Sequence, residues 1–314
     1  MKREKLLIVL GFCLISILWG STWLAIKIGL YSVPPLYGVA LRFTVAVVLL
    51  LVVVLVGRVK IPTDPNALTL YLALGIFSFS IPYALVYIGE QYISSGLASI
   101  VFCAYPLVVG VFSQAFLPGE PLNLQKVIGI VLGFLGILYI FWSDVIAGGT
   151  NALGMGIVFT STILQAYALI IAKKRGTNID SKAMTFGGML VGLVFMYAMA
   201  WTFEDFARVR FDSKAIGSIL YLSSFGTVIT FVTYYWLMKK IEAVYLSLSS
   251  FVTPIIAVIL GAVVLRETVS PRLLPGAGVV LIGILITNSR EIVTRSRNST
   301  HDASRQERKS DETA

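Results

Sequence analysis

Apolar residues run along this chain in blocks of about twenty, the length at which an α-helix crosses the hydrocarbon of a bilayer, and polar residues gather between the blocks. Ten runs stand out, near 6–29, 34–56, 68–89, 92–117, 124–142, 153–172, 182–203, 215–238, 242–265 and 271–289. The segments between them, such as "GRVKIPTDPNA", "PGEPLNLQK" and "KKRGTNIDSK", hold the Pro, Gly, Asn and charges of chain reversals. The pattern predicts an all-α membrane protein with ten transmembrane helices. The first run follows "KREK" but is too long for the apolar core of a cleaved leader and shows no small-residue cleavage site, so it reads as a retained span. Residues 290–314 mix both charge signs, lack apolar periodicity and read as a disordered cytoplasmic tail.

Composition agrees: 57% of the 314 residues are hydrophobic, 13% are charged, and the mean hydropathy is +0.87. A net charge of +9 would suggest nucleic acid in a soluble protein, but here the basic residues follow the membrane pattern. With the N-terminus inside, 18 Lys and Arg fall on the cytoplasmic side, five on the outer side, and Lys27 and Arg42 within spans. This bias predicts a multi-pass protein of the cell membrane with both termini cytoplasmic and no nucleic-acid partner. Cys13 and Cys103 lie in apolar runs, the single histidine, His301, is in the tail, and no ligand cluster, HExxH or Gly-rich Lys loop occurs. No metal, cofactor or catalytic residue is expected, and an enzyme is disfavoured.

The chain also repeats itself. "AYPLVVGVFSQAFLPGEPLNLQKVIGIVLGFLGIL" from Ala104 parallels "VTPIIAVILGAVVLRETVSPRLLPGAGVVLIGIL" from Val252. Pro106 matches Pro254 at an offset of 148, and Glu120, Gly129 and Gly136 match Glu267, Gly276 and Gly283 at 147. Tyr87 meets Tyr235 at 148, and Lys27 meets Lys173 at 146. Each copy therefore holds five spans, residues 1–145 and 146–289. Five is odd, so the second copy crosses the membrane in the opposite sense. Such inverted repeats place a solute site near the midplane, in a cleft between units that rock, although duplication can also serve only to build a stable bundle.

"LWGSTWLAIKIG", "VALRF" and the paired "PGEPLNLQKVIGIVLGFLGIL" and "RETVSPRLLPGAGVVLIGIL" resemble the EamA-type members of the drug/metabolite transporter superfamily. The resemblance covers roughly residues 6–289 and implies ten helices in two five-helix repeats, with proton-coupled or facilitated export of amino acids or other metabolites. Gln165 stands where members often carry an aromatic, opposite Trp19 in the repeat.

Candidate site residues come from helical stripes. Ser16, Trp19, Trp23 and Lys27 share one face of the first helix, and Ser80, Tyr83, Tyr87 and Glu90 share one face of the third, beside Pro82. Phe231 and Tyr235 repeat the latter aromatics in the eighth span. Such rings suit either a cavity for an organic solute or core packing. Tyr105 with Pro106 and Thr253 with Pro254 mark paired hinges, or packing kinks, that free the carbonyls of Phe102 and Ser250. Arg42 lies about 12 Å inside the second span from its outer end; it contacts solute or pairs with an acid, with Glu90 a candidate partner on the outer side. Lys27 either faces solute or snorkels to the interface. Every Asp and Glu lies at a span end, in a connection or in the tail, which supplies no carboxylate for an intramembrane proton relay. Glu120 and Glu267 favour the starts of the fifth and tenth helices, and Ser270 with Pro271 reads as a helix cap. Gly129, Gly133, Gly136, Gly276 and Gly283 offer faces for close helix packing, including that of a homodimer. The expected partners are thus a small-molecule substrate and the bilayer. The reading favours an exporter of small organic metabolites, such as amino acids or drug-like compounds. A non-transporting scaffold or receptor, or an importer of a sugar-like or nucleobase-like solute, is the alternative.

Overall fold

The structure is a computed structural model and describes residues 2–93, 95–140, 142, 152–265, 271–272 and 274–287. The ten apolar runs become α1 (Lys2–Gly29), α2 (Pro35–Val56), α3 (Pro65–Tyr92), α4 (Ser95–Phe102, continued by Tyr105–Phe116), α5 (Leu124–Ile140), α6 (Ala152–Arg175), α7 (Ser181–Phe203), α8 (Ser213–Met238), α9 (Ala243–Ser247, continued by Ser249–Leu265) and α10 (Leu274–Thr287). Seven of them, α1–α4 and α6–α8, are long and apolar enough to cross a membrane, and α5, α9 and α10 supply shorter apolar stretches. Glu267, Ser270 and the 290–314 tail lie outside the described residues.

Local chemistry starts these helices. A helix's first N–H groups lack intrahelical acceptors. Asp64 takes those of Asn66 and Ala67, Asp180 that of Lys182, and Asp212 that of Ala215. The Ser32 hydroxyl also donates to Asp212, and these two donors hold its carboxyl below the ordinary carboxylate range. At the start of α2 the free N–H groups of Leu36 and Tyr37 find Glu204, which follows α7, at 3.0 Å. Val48, Val52, Leu55 and Val56 of α2 face outward, as a lipid-facing surface requires.

Contacts at the helix ends give the direction of each half. At the end of the bundle where α1 begins, the near end, Glu4 meets Lys240 at 2.8 Å. At the far end the α1 Lys27 Nζ donates to the Glu90 carbonyl oxygen at 2.7 Å, and Ser32 meets Asp212 just before α8. α8 therefore runs from far to near, opposite to its counterpart α3. α6 finishes at the near end, where Lys173 pairs with Glu120 at 2.8 Å, opposite to α1. The chain is two five-helix repeats of inverted direction.

The repeats interleave. α1 packs along α8 and α9 of the second half, α6 packs along α3 and α4 of the first, and α2 pairs with α7. This corrects the expected picture of two five-helix units facing each other across a cleft. The two first helices are exchanged, because each fills the groove that the other half's third and fourth helices leave.

Glycines permit the closest approaches. A Cβ on Gly187 would lie 2.7 Å from the Tyr71 ring, and one on Gly75 would lie 2.9 Å from the Gly192 backbone, so α3 and α7 nearly touch. On α5 and α10, a Cβ on Gly129 would meet the Gly283 carbonyl at 2.5 Å, and one on Gly136 the Gly276 carbonyl at 2.9 Å. Gly133 faces Phe251 of α9. These small-residue faces thus serve close helix packing within one chain.

Regular backbone fails at matching places. α3 contains a π turn at Gly75–Ser80 and α8 one at Ser224–Ile229. In α3, Pro82 has no N–H for the Ser78 carbonyl, and its ring pushes that carbonyl aside. In α8 the Thr227 hydroxyl reaches back to the Leu222 carbonyl at 2.8 Å.

The glycine contacts yield a prediction. Gly187→Val forces its side chain into Tyr71 and lowers stability by about 1–3 kcal/mol, whereas Gly217→Ala, which has nothing within 4 Å, is neutral. Thermal unfolding of the two detergent-purified variants checks this, and equal melting points would contradict the packing.

Candidate functional site

A cavity lies between the halves, with about 770 Å³ of empty space when the open solvent at its mouth is counted. Its walls come from α1, α3, α4, α6, α8 and α9, three helices from each half, while α2, α5, α7 and α10 stand outside it.

The lining obeys the repeat. Trp19 and Gln165, then Trp23 and Leu169, pair at an offset of 146. Tyr83 and Phe231, Val86 and Tyr234, Phe102 and Ser250, and Tyr105 and Thr253 pair at 148. Both members of all six pairs line the cavity, so it sits on the pseudo-two-fold axis relating the halves. In three pairs a ring of the first half answers an amide or hydroxyl of the second, Trp19 with Gln165, Phe102 with Ser250 and Tyr105 with Thr253, while in Val86 with Tyr234 the ring comes from the second half.

The rings lock one another in place. Trp19 packs on Tyr234 at 5.2 Å and on Phe231 at 5.6 Å, and Phe102 stacks on Tyr105 at 5.4 Å and 18°. The Tyr105 and Tyr234 hydroxyls bond each other at 2.7 Å across the axis, and Ser78 meets Tyr235 at 3.2 Å. Two polar groups in the wall, Trp19 Nε1 and Ser250 Oγ, are buried with no hydrogen-bond partner among the described residues. Such orphans are costly in a packed interior and are what a solute would satisfy. No charged side chain of the described residues lines the cavity.

Of the residues singled out from sequence, Trp19, Trp23, Tyr83, Tyr105, Gln165, Phe231, Tyr235 and Thr253 lie in this wall. Lys27, Arg42, Ser80 and Tyr87 do not. Ser80 is fully buried and donates to the Ile76 carbonyl of its own helix at 3.4 Å. Lys27 is half-buried on Glu90's carbonyl, so it does not snorkel out to the interface. Thr22, Ser78, Phe102, Tyr234 and Ser249 are in the wall without having been selected. The repeat partners of Phe102 and Tyr234, Ser250 and Val86, belong to neither stripe, so the offset applied to the stripes alone does not reach Phe102 or Tyr234.

Arg42 is 1% exposed and holds the π turn of α8: Nε donates to Thr227 Oγ1 at 2.8 Å, Nη2 to the Gly226 carbonyl at 3.0 Å, and Nη1 reaches the Tyr87 hydroxyl at 3.5 Å. Its guanidinium lies 4.8 Å from the Tyr83 ring centre. Arg42 makes no hydrogen bond to Glu90, its candidate acid partner, among the described residues; the Gly226 carbonyl and the Thr227 hydroxyl of the π turn accept from its guanidinium instead. Arg42 stands behind the wall and supports it through Tyr83.

The prolines also act differently from the expectation of paired hinges. α4 breaks at Cys103–Ala104 and Pro106 sits in the first turn of its second segment, whereas Pro254 lies inside a continuous segment and α9 breaks earlier, at Leu248. The Ser250 carbonyl freed by Pro254 accepts from Cys103 Sγ at 3.3 Å and from Thr253 Oγ1 at 3.0 Å. It is covered by neighbours.

At the near end of the bundle, charges tie the two halves together. Lys173 pairs with Glu120 at 2.8 Å and also donates to the Met238 and Ile241 carbonyls. Glu120 accepts from the Ala243 N–H at 2.6 Å, and Lys126 meets Glu242 at 2.5 Å. This ties the α4–α5 connection to the α8–α9 turn. Glu120 thus serves the start of α9, not that of α5 as its sequence position suggested; Asn123 takes the latter place by accepting from the Lys126 N–H at 2.9 Å.

Arg42→Met lowers the unfolding free energy by about 2–4 kcal/mol, since it strands the Gly226 carbonyl and the Thr227 hydroxyl inside the bundle. Arg42→Lys restores part of this. Thermal unfolding in detergent reads both, and a wild-type melting point for the methionine variant would contradict the anchor.

The sequence and fold match known proteins along nearly the whole chain. Over 280 residues the chain is 26% identical to the uncharacterized transporter YoaV of Bacillus subtilis, covering 89% of this chain and 96% of that one. It is 30% identical over 269 residues to an uncharacterized transporter of Archaeoglobus fulgidus, covering 85% and 94%, and 28% identical over 287 residues to protein PagO of Salmonella typhimurium, covering 90% and 93%. A solved crystal structure superposes with a TM-score of 0.75 at 20% identity, over 89% of this chain and 95% of its own, and shares the fold. The model of the EamA-like transporter family matches twice, at residues 6–142 and 152–289, the two halves whose symmetry the cavity follows: the chain belongs to that family.

Proposed function

We propose that this membrane transporter moves small, net-neutral organic metabolites, such as amino acids or drug-like compounds, by alternating access through the cavity on its two-fold axis. One observation carries the reading: a wall built by six repeat-related pairs, rich in aromatic rings and hydroxyls and free of charged side chains among the described residues. Flat rings bind the apolar part of a solute, and the orphaned Trp19 N–H and Ser250 hydroxyl bind an acceptor on it. A solute with a net charge would enter this wall without a counter-charge, at a high desolvation cost, and this selects against net-charged ions.

The near end is cytoplasmic in this reading, following the Lys and Arg bias, and both termini lie in the cytoplasm. The Lys173–Glu120 and Lys126–Glu242 pairs are then the cytoplasmic gate, closed in the conformation described. Residues 1–145 and 146–289 are the two repeats, and export is the net direction where the solute is more concentrated inside.

Two measurements test the proposal. A screen of amino acids, nucleobases, sugars and drugs by thermal shift of the purified protein yields net-neutral hits, and a solute at a hundred times its dissociation constant adds about 2.7 kcal/mol of stability. Ser250→Ala with Trp19→Phe weakens those hits about tenfold or more by removing both donors. Absence of hits at millimolar solute, with no flux in liposomes, would favour a scaffold or receptor. Lys173→Met breaks the cytoplasmic seal and makes a cysteine at Ser249 react with an impermeant maleimide from that side. No change in its labelling would contradict the assigned gate.

A further inference from the structure

The stripe on α3 ends in Glu90, which the cavity does not use. Its side chain is 0% exposed, and neither carboxyl oxygen has a hydrogen-bond partner among the described residues. Glu90 also sits in the last turn of its helix, whose negative dipole end opposes a second negative charge. A bare carboxylate without donors or water is among the costliest groups an interior can hold.

Its neighbours explain how the charge could come and go. α1 presents Lys27, α2 presents Arg42, and α3 itself presents Tyr87, while α6 packs Val158 and Gly154 beside Gly89 and brings no titratable group. Both cations lie within electrostatic reach, yet neither donates to the carboxyl: Lys27 donates to Glu90's own carbonyl, and Arg42 to the α8 π turn and Tyr87. No group of three metal-ligating side chains occurs among the described residues.

The repeat separates this acid from any structural duty at its position. Met238 occupies the matching place in α8, and Lys173 donates to its carbonyl at 2.8 Å, as Lys27 does to that of Glu90 at 2.7 Å. The lysine–carbonyl contact therefore forms with an uncharged side chain in one half and with a buried acid in the other. The carboxyl is an addition that the helix end does not need.

We infer that Glu90 is a proton-binding site coupled to the transport cycle. In the conformation described, the carboxyl carries the proton. When Lys27 turns from the Glu90 carbonyl to its carboxyl oxygens, the O–H bond breaks, the proton leaves to water at the far end, and the resulting carboxylate is held by the ammonium. Arg42 links the site to the cavity, because its guanidinium lies within electrostatic reach of the Glu90 carboxyl on one side and against the ring of the cavity residue Tyr83 on the other. The coupling rests on the cavity being the transport site; the proton site itself does not.

The test uses the full chain in lipid vesicles, with the proton as the only ligand, so that its failure is distinct from a failed solute screen. Infrared difference spectra recorded as pH rises show a protonated-carboxyl band that disappears in the wild type and is missing from Glu90→Gln. Glu90→Met, the residue the other half uses, gives the same loss if the glutamine variant folds poorly. Lys27→Gln moves disappearance of the wild-type band to higher pH by about one unit or more, the size expected for removal of a nearby charge. Identical bands in wild type and both Glu90 variants would overturn the proton site. An unmoved midpoint in Lys27→Gln would overturn the exchange with Lys27.

Discussion

Five spans per half is an odd number, and in a bilayer that leaves the second half only one direction in which to thread. Inversion then decides who can pack on whom. A first helix running from near to far meets third and fourth helices of the other half in an arrangement that the second first helix repeats by two-fold rotation, and both halves settle into it at once. The interleaving of α1 with α8 and α9, and of α6 with α3 and α4, follows from this single constraint. So does the position of the cavity, since the axis relating the halves must pass between those six helices.

Lipid imposes the second condition, that no backbone polar group be left bare. The two π turns break the regular ladder at membrane depth, and the structure answers differently at each. In α8 the break is covered from the other half by Arg42, while its Thr227 hydroxyl serves the Leu222 carbonyl. The same guanidinium then supports Tyr83, so the group that repairs the backbone also stiffens the cavity wall. An expensive buried cation is in this way accounted for without touching solute. The seal of lysines and glutamates at the near end works by a similar economy, with Glu120 closing the start of α9 and neutralising Lys173 together.

Much of this was legible in the sequence because membrane physics is severe. Runs of twenty apolar residues, the stripe Trp19–Trp23 and the offsets of 146 and 148 gave the spans, the inverted repeat and eight of the wall residues. What stayed hidden depends on partners distant in sequence. Nothing in "VALRF" says that a π turn 184 residues away will present a carbonyl to Arg42, and nothing near Glu120 reveals that its carboxylate will reach Ala243. A helical stripe also cannot say which of its members face a cavity and which are covered. On α3, Tyr83 reaches the cavity, while Ser80, Tyr87 and Glu90 are enclosed. The glycines were read correctly as close-packing positions, but only the fold shows that α5 and α10 consume each other's.

The account stands on the opposed threading of the two halves, and its most direct test is the sidedness of matched positions. Tyr31 follows α1 and Thr177 follows α6 at the repeat offset of 146, and both side chains are exposed. Single cysteines at these places, probed with an impermeant maleimide in intact cells and in inside-out vesicles, should label from opposite faces of the membrane, Tyr31→Cys from outside and Thr177→Cys from inside. Labelling of both from the same face would contradict the inversion, and with it the two-fold cavity.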